Sequence, residues 1–199
     1  MRNYKISSIN VTEISDEILK KHFAAMDEQK KAETVALPSD TKKRQKIAAD
    51  MLCRNMISEK CGIPAESIVF ARNENGKPYV LNANVFFSIS HSADTVVCAV
   101  SENEIGIDVE KIKSIRLKVA EKFADDSEIR YIGEDINRFF EIWTLKEAFF
   151  KCKGTGLGAD IKTVGFDITD GNITCSENGY DLFFEKLTDG YVCSVCIKK

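Results

Sequence analysis

The chain has 199 residues and a formal net charge of −3, with 44% hydrophobic and 30% charged residues. That length suits one large domain or two small ones sharing a core, and the acidic balance argues against a general nucleic-acid binder. The longest apolar runs, such as Val96-Val97-Cys98-Ala99-Val100, are too short to cross a bilayer, so no membrane association is expected.

The opening Met1-Arg2-Asn3-Tyr4-Lys5 is not followed by a signal-peptide core, which makes the cytoplasm the expected location. Residues 4–14 alternate like a strand, and 15–26 read as a helix behind a serine cap with acids in its first turn. Thr41-Lys42-Lys43-Arg44-Gln45-Lys46 is a local basic patch with four bases and no acid. It leads into the longest helical pattern of the first half, 43–60, with Ile47, Met51 and Ile57 apolar and Cys61-Gly62 at its end. A strand at 68–72, a turn at Asn73-Glu74-Asn75-Gly76, and strands at 85–90, 96–101 and 105–110 complete the first pass.

The second half repeats the plan. Helical stretches at 117–123 and 135–153 precede three strands at 164–169, 180–186 and 191–197. Helices followed by antiparallel strands, twice over, predict an α+β fold of two similar lobes, with residues 1–103 in the first and 104–199 in the second. Seven scattered cysteines lack zinc-site spacing. Cys193 and Cys196 form a CxxC, but in a strand their sulfurs point to opposite faces, so buried reduced thiols are expected.

Three elements carry chemistry. In Ile105-Gly106-Ile107-Asp108-Val109-Glu110 the apolar residues take one strand face and put Asp108 and Glu110 together on the other. Two carboxylates with about 7 Å between their Cα atoms fit either a solvated acidic face or a site for a hard cation. On the second helix, Ile136, Phe140 and Trp143 form a stripe that continues onto Glu147 and Lys151. That pair reads either as an i,i+4 surface ion pair or as the lining of a pocket. Phe86-Phe87-Ser88-Ile89-Ser90-His91-Ser92 ends a strand in hydroxyls and an imidazole, which suits a phosphate cradle or a plain structural role. No G-x-S-x-G elbow supports a hydrolase reading.

The ordered set Gly76-Lys77-Pro78, Phe87-Ser88-Ile89-Ser90-His91-Ser92, Gly106-Ile107-Asp108-Val109-Glu110 and Trp143-Thr144-Leu145-Lys146-Glu147-Ala148-Phe149-Phe150-Lys151 resembles the 4′-phosphopantetheinyl transferase superfamily. The two-lobed type that serves nonribosomal peptide and polyketide synthases is the closest match, and the resemblance runs from about Lys30 to Gly156. It implies two lobes related by a pseudo-twofold axis, coenzyme A bound in the first, and metal and carrier sites in the second. It implies Mg²⁺ on Asp108, Glu110 and Glu147, and Lys151 at the pyrophosphate. Ser90 and His91 would hold coenzyme A phosphates, Lys77 would line the nucleotide site, and Lys30 and Lys31 would meet the 3′-phosphate. The family's usual arginine aligns with Gln45, and Arg44 beside it is the expected substitute.

The implied reaction moves phosphopantetheine from coenzyme A to a carrier-protein serine and releases 3′,5′-ADP, with Glu147, Lys151 and His91 as catalytic residues. Glu147, a metal-bound water or Lys151 can take the serine proton. Lys111, Lys113, Arg116, Lys118 and Lys122, interleaved with Ile115, Leu117, Val119 and Phe123, offer a docking surface to an acidic carrier, or simply a solvated helix. A single chain with both lobes is expected to act as a monomer. An Mg²⁺-dependent phosphohydrolase and a silent carrier-binding protein are the rival readings.

Overall fold

The computed structural model describes residues 3–156, 158, 161–188 and 190–199. The first half contains β1 (Tyr4–Asn10), α1 (Asp16–Ala25), α2 (Glu28–Val35), α3 (Asp40–Cys61), β2 (Phe70–Arg72), β3 (Pro78–Val80), β4 (Phe86–Ser92) and β5 (Thr95–Ser101). The second contains β6 (Ile105–Lys111), a 3₁₀ turn (Leu117–Lys122), α4 (Asp126–Ile132), α5 (Ile136–Lys153), β7 (Phe166–Thr169), β8 (Asn172–Cys175), β9 (Tyr180–Phe184) and β10 (Tyr191–Lys198). The fold is α+β.

One order recurs in both halves: strand, long helix, two-stranded ribbon, two more strands. The three-stranded sheets are β1-β5-β4 and β6-β10-β9, with β2-β3 and β7-β8 as the ribbons. Every pairing is antiparallel, with Cys98 opposite both Ser7 and Ile89 in the first sheet, and Ser194 opposite both Asp108 and Phe184 in the second. Strand β5 is buried along its whole length because α3 covers one face and the neighbouring lobe the other. Val97 and Ala99 of β5 meet Ile105, Ile107 and Val109 of β6 and Val195 of β10 in a shared inter-lobe core.

The long helices have sequence-encoded ends. Ser39 caps α3 through Lys42 N, and Gly62 at φ 69° stops it. Asp135 caps α5 through Asn137 N, and Gly154 at φ 74° closes it. Inside α5, Lys146 is fully buried and pairs with fully buried Glu128 at 2.8 Å, while also donating to Val164 O. Glu128 in turn accepts from Asp125 N and Phe166 N, so one ion pair ties α5 to the start of α4 and to β7.

Several expectations need adjustment. Helix α2 carries no apolar stripe and buries only Thr34, so periodicity could not reveal it. Among the described residues four strands follow α5 where three were expected, the addition being β8, because the chain turns back as a hairpin at Asp170-Gly171. Phe123 departs from the docking surface expected of its segment: it is buried against Phe139 and Trp143, with Ile115 and Leu117 packed on the same core. Of that apolar set, Val119 is exposed. Cys193 faces the inter-lobe core and Cys196 the second-lobe core, the opposite faces expected for a strand CxxC, and all seven thiols are free. Among the described residues no helix is long and apolar enough to cross a membrane.

Candidate active site

The two sheets meet along β4 and β6, where three serines at period two share one face of β4. Ser88 Oγ accepts from Ile107 N at 3.1 Å, Ser90 Oγ donates to Asp108 Oδ1 at 2.6 Å, and Ser92 Oγ donates to Glu110 Oε2 at 2.7 Å. The pairs advance together along both strands, so β4 and β6 run parallel. The D-x-E carboxylates are therefore held by hydroxyls of the other lobe, with Ser90 on Asp108 and Ser92 on Glu110.

Helix α5 lies across β6 at very close range. A Cβ on Gly106 would stand 1.9 Å from Ala148 O and 2.4 Å from Cys152 N, so only glycine permits this approach. The approach brings Lys151 Nζ to 2.6 Å from Asp108 Oδ1 and 3.0 Å from Ser90 Oγ. Glu147, one turn earlier, is half-buried, and its carboxyl is pushed up to about 7. Burial is the main cause, followed by the negative charge of Asp108, with Lys151 opposing and Glu110 adding to the rise. Burial also raises Asp108, against the Lys151 ammonium and the Ser90 hydrogen bond.

Asp108 Oδ2 is buried and has no hydrogen-bond partner among the described residues. A bare buried carboxylate oxygen is costly unless something positive meets it. Three oxygen-donor carboxylates with one ammonium leave excess negative charge, the donor chemistry that suits a hard divalent cation such as Mg²⁺. As the side chains lie, no three His, Cys, Asp or Glu groups among the described residues are arranged to hold an ion. Lys151 occupies Asp108 Oδ1, and Ser92 of β4 occupies Glu110 Oε2 of β6.

The other expected residues divide. His91 sits exposed on the opposite face of β4 from the serines, and partial desolvation with the Lys151 charge weakens its hold on a proton. Lys30 pairs with Asp50 and lies over the Phe70 ring at 4.2 Å, while Lys31 pairs with Glu28 at 2.9 Å. Arg44 donates to Val11 O, Ile14 O and Asp16, which ties it to the loop between β1 and α1. Gln45 is buried and donates to Ala93 O in the β4–β5 turn. Lys77 turns toward the second lobe, donating to Cys152 O at 2.9 Å and Ile105 O at 3.4 Å.

A cavity of about 910 Å³ lies in the first lobe between α2, α3 and the β2–β3 ribbon. Its wall includes Lys30, Asp50, Arg54 and Ile89, but it stops short of Asp108, Glu147 and Lys151. Acids, an ammonium and an orphaned carboxylate oxygen converge at the seam, outside this cavity. Sequence reading missed Ser88 and Ser92 as carboxylate and amide partners, although their period-two spacing was the available signal. It also missed the Lys146–Glu128 pair, whose partners are 18 residues apart and share no motif.

Comparison with known proteins identifies the family. Residues 104–196 match the 4′-phosphopantetheinyl transferase superfamily, and residues 15–103 match the 4′-phosphopantetheinyl transferase N-terminal family. The chain is 33% identical over 159 residues to the 4′-phosphopantetheinyl transferase gsp of Aneurinibacillus migulanus, covering 75% of this chain and 67% of that protein. It is 34% identical over 165 residues to the 4′-phosphopantetheinyl transferase psf-1 of Bacillus pumilus, covering 77% and 70%. Among solved structures, the holo-[acyl-carrier-protein] synthase of Thermotoga maritima overlaps 48% of this chain and 62% of that one, at 25% identity and a TM-score of 0.42. The chain belongs to the 4′-phosphopantetheinyl transferase superfamily. Within it, its relatives make it a phosphopantetheinyl transferase.

Proposed function

We propose that this chain transfers the 4′-phosphopantetheine arm of coenzyme A to a serine of an apo carrier protein, releasing 3′,5′-ADP. The observation that carries the reading is the buried, unpartnered Asp108 Oδ2 beside Lys151. Asp108, Glu110 and Glu147 would hold Mg²⁺, which when bound supplies charge relief to the pyrophosphate.

The chain's own residues supply the rest. The attacking serine oxygen forms a bond to the β-phosphorus, and the bond from that phosphorus to the bridging oxygen breaks. Lys151, which contacts Asp108 on the same seam, would place its ammonium where negative charge gathers on the pyrophosphate. Glu147, in the same carboxylate cluster one helical turn from Lys151, accepts the serine proton. Lys30 and Lys31 contribute positive charge toward the coenzyme A phosphates from the first lobe, and His91 contributes a ring N–H donor. Lys30 joins them by sharing its bond to Asp50, and Arg44 of α3, which donates to Val11 O and Ile14 O, is the substitute for the family's usual arginine beside Gln45.

The carrier docks beside β6, where Lys111, Lys113, Arg116, Lys118 and Lys122 are exposed. An acidic carrier would meet these charges first, with Val119 as the apolar contact. Both halves of the site come from one chain, which makes a monomer competent, and free, mostly buried thiols suit a reducing cytoplasm.

Mass spectrometry of an apo carrier incubated with coenzyme A, Mg²⁺ and this protein tests the reading. The carrier should gain one phosphopantetheine arm for each 3′,5′-ADP released. Release of 3′,5′-ADP without a carrier would make the protein a hydrolase and overturn the proposal.

A further inference from the structure

The tip of the β2–β3 hairpin is built with unusual care for a surface turn. Asn73 Oδ1 accepts from Asn75 N at 3.0 Å and Lys77 N at 2.8 Å, and Asn73 N donates to Lys77 O at 3.0 Å. Gly76 supplies the positive φ of 83° that closes the turn. The result aims Lys77 out of the first lobe and onto the second.

Its ammonium lands where α5 and β6 come together. Cys152 O, one of the last carbonyls of α5, has no intrahelical amide to accept from, because Gly154 ends the helix. Lys77 fills that vacancy at 2.9 Å and reaches Ile105 O, at the start of β6, at 3.4 Å. A positive charge at a helix C-terminus is also favoured by the helix dipole. The fit is tight: a Cβ on Gly154 would stand 3.2 Å from Lys77 Cδ and 3.4 Å from Asn73 Nδ2.

We infer that Lys77 is a positioning residue, whose ammonium clamps the strand bearing Asp108 and Glu110 to the helix bearing Glu147 and Lys151. The inference rests on the transferase reading for the roles of those four residues. Cys152 is the neighbour of Lys151, so the last turn of α5 passes any displacement straight to the ammonium that contacts Asp108. The same hairpin contributes Phe70, Ala71, Arg72 and Pro78 to the first-lobe cavity, so cavity and catalytic helix share one rigid element.

The test compares Lys77→Met with Lys77→Arg. A positioning role predicts that Lys77→Met lowers kcat on the order of ten- to a hundredfold while KM for coenzyme A stays near wild type. Lys77→Arg, which still donates to carbonyls, should restore most of kcat. Hydrogen exchange of the amides at residues 150–154 should quicken in Lys77→Met and not in Lys77→Arg. A raised KM with kcat intact would make Lys77 a ligand contact and overturn the inference, as would unchanged kcat and exchange. Should Lys77→Met fail to fold, Asn73→Ala, which loosens the turn, carries the same readouts. If wild type transfers nothing to an apo carrier, the functional reading falls, and the exchange result alone decides the clamp.

Discussion

The Ser90 hydroxyl on β4 donates to Asp108 Oδ1 on β6 at 2.6 Å and accepts from Lys151 Nζ on α5 at 3.0 Å. One side chain of the first lobe thus sets the distance between an acid and a base that both come from the second. Hydrogen bonds to charged groups contribute about 1.5–3 kcal/mol. Ser90→Ala should therefore lower kcat by roughly ten- to a hundredfold with little change in circular dichroism. A kcat equal to wild type would show the hydroxyl to be idle in the reaction.

Removing a carboxylate should separate activity from stability. Asp108→Asn and Glu147→Gln should each abolish transfer, because each deletes a proposed cation ligand. In metal-free buffer at neutral pH both variants should melt no lower than wild type, since each relieves a crowd of buried negative charge. Mg²⁺ should raise the melting temperature of wild type and leave Asp108→Asn unmoved, because only a bound ion shifts the folding equilibrium. Near-normal transfer by either variant at saturating Mg²⁺ removes these residues from the site.

The basic segment after β6 predicts a kinetic signature. Reversing Lys113, Arg116 and Lys118 to Glu should lower kcat/KM for the carrier by slowing association, and leave KM for coenzyme A in place. Added salt should weaken wild-type transfer, since exposed charges are screened over about 8–10 Å, and the reversed variant should lose that sensitivity. Unaltered carrier kinetics in the triple variant would mean that this surface is only solvated.

Much of this site was legible because its signals are periodic. Alternation in β6 isolated Asp108 and Glu110 on one face, and helical spacing in α5 put Glu147 and Lys151 in register with Phe140 and Trp143. The partners were not legible. Ser90 reads equally well as a phosphate ligand or a carboxylate ligand until β4 is laid beside β6. Lys77 and Cys152 are 75 residues apart, and a lysine in a Gly-Lys-Pro turn gives no hint that it ends a helix of the other lobe. The same holds for Phe123, which sits among cations in sequence but points inward once the 3₁₀ turn forms. Periodicity specifies a face, and only tertiary packing specifies what that face meets.

Acid stability should depend on Asp50. This buried residue of α3 takes an imidazole at 2.9 Å from His22, the Lys30 ammonium, and Arg54 Nε at 2.9 Å. Burial alone would raise its carboxyl, but the hydrogen bonds from His22 and Lys30 and the charges of Lys30 and Arg54 hold it well below the usual carboxylate range. A depressed folded-state value means that the stabilisation is present above the unfolded value, near pH 4, and is lost as pH falls below it. Asp50→Asn should lower stability by about 3 kcal/mol or more at pH 7, and should flatten the decline below about pH 4. Urea midpoints taken from pH 7 downward check both; parallel wild-type and variant curves would show Asp50 uncoupled from the acid transition.

The buried thiols give each hydrophobic cluster a native reporter. Cys53 and Cys98 lie in the first-lobe core, Cys152 and Cys196 in the second-lobe core, and Cys193 in the core between the lobes. A buried thiol reacts with an alkylating reagent only when its surroundings open. Pulsed alkylation followed by peptide mapping therefore times three separate events, the loosening of either lobe and the parting of the two, without a single engineered label.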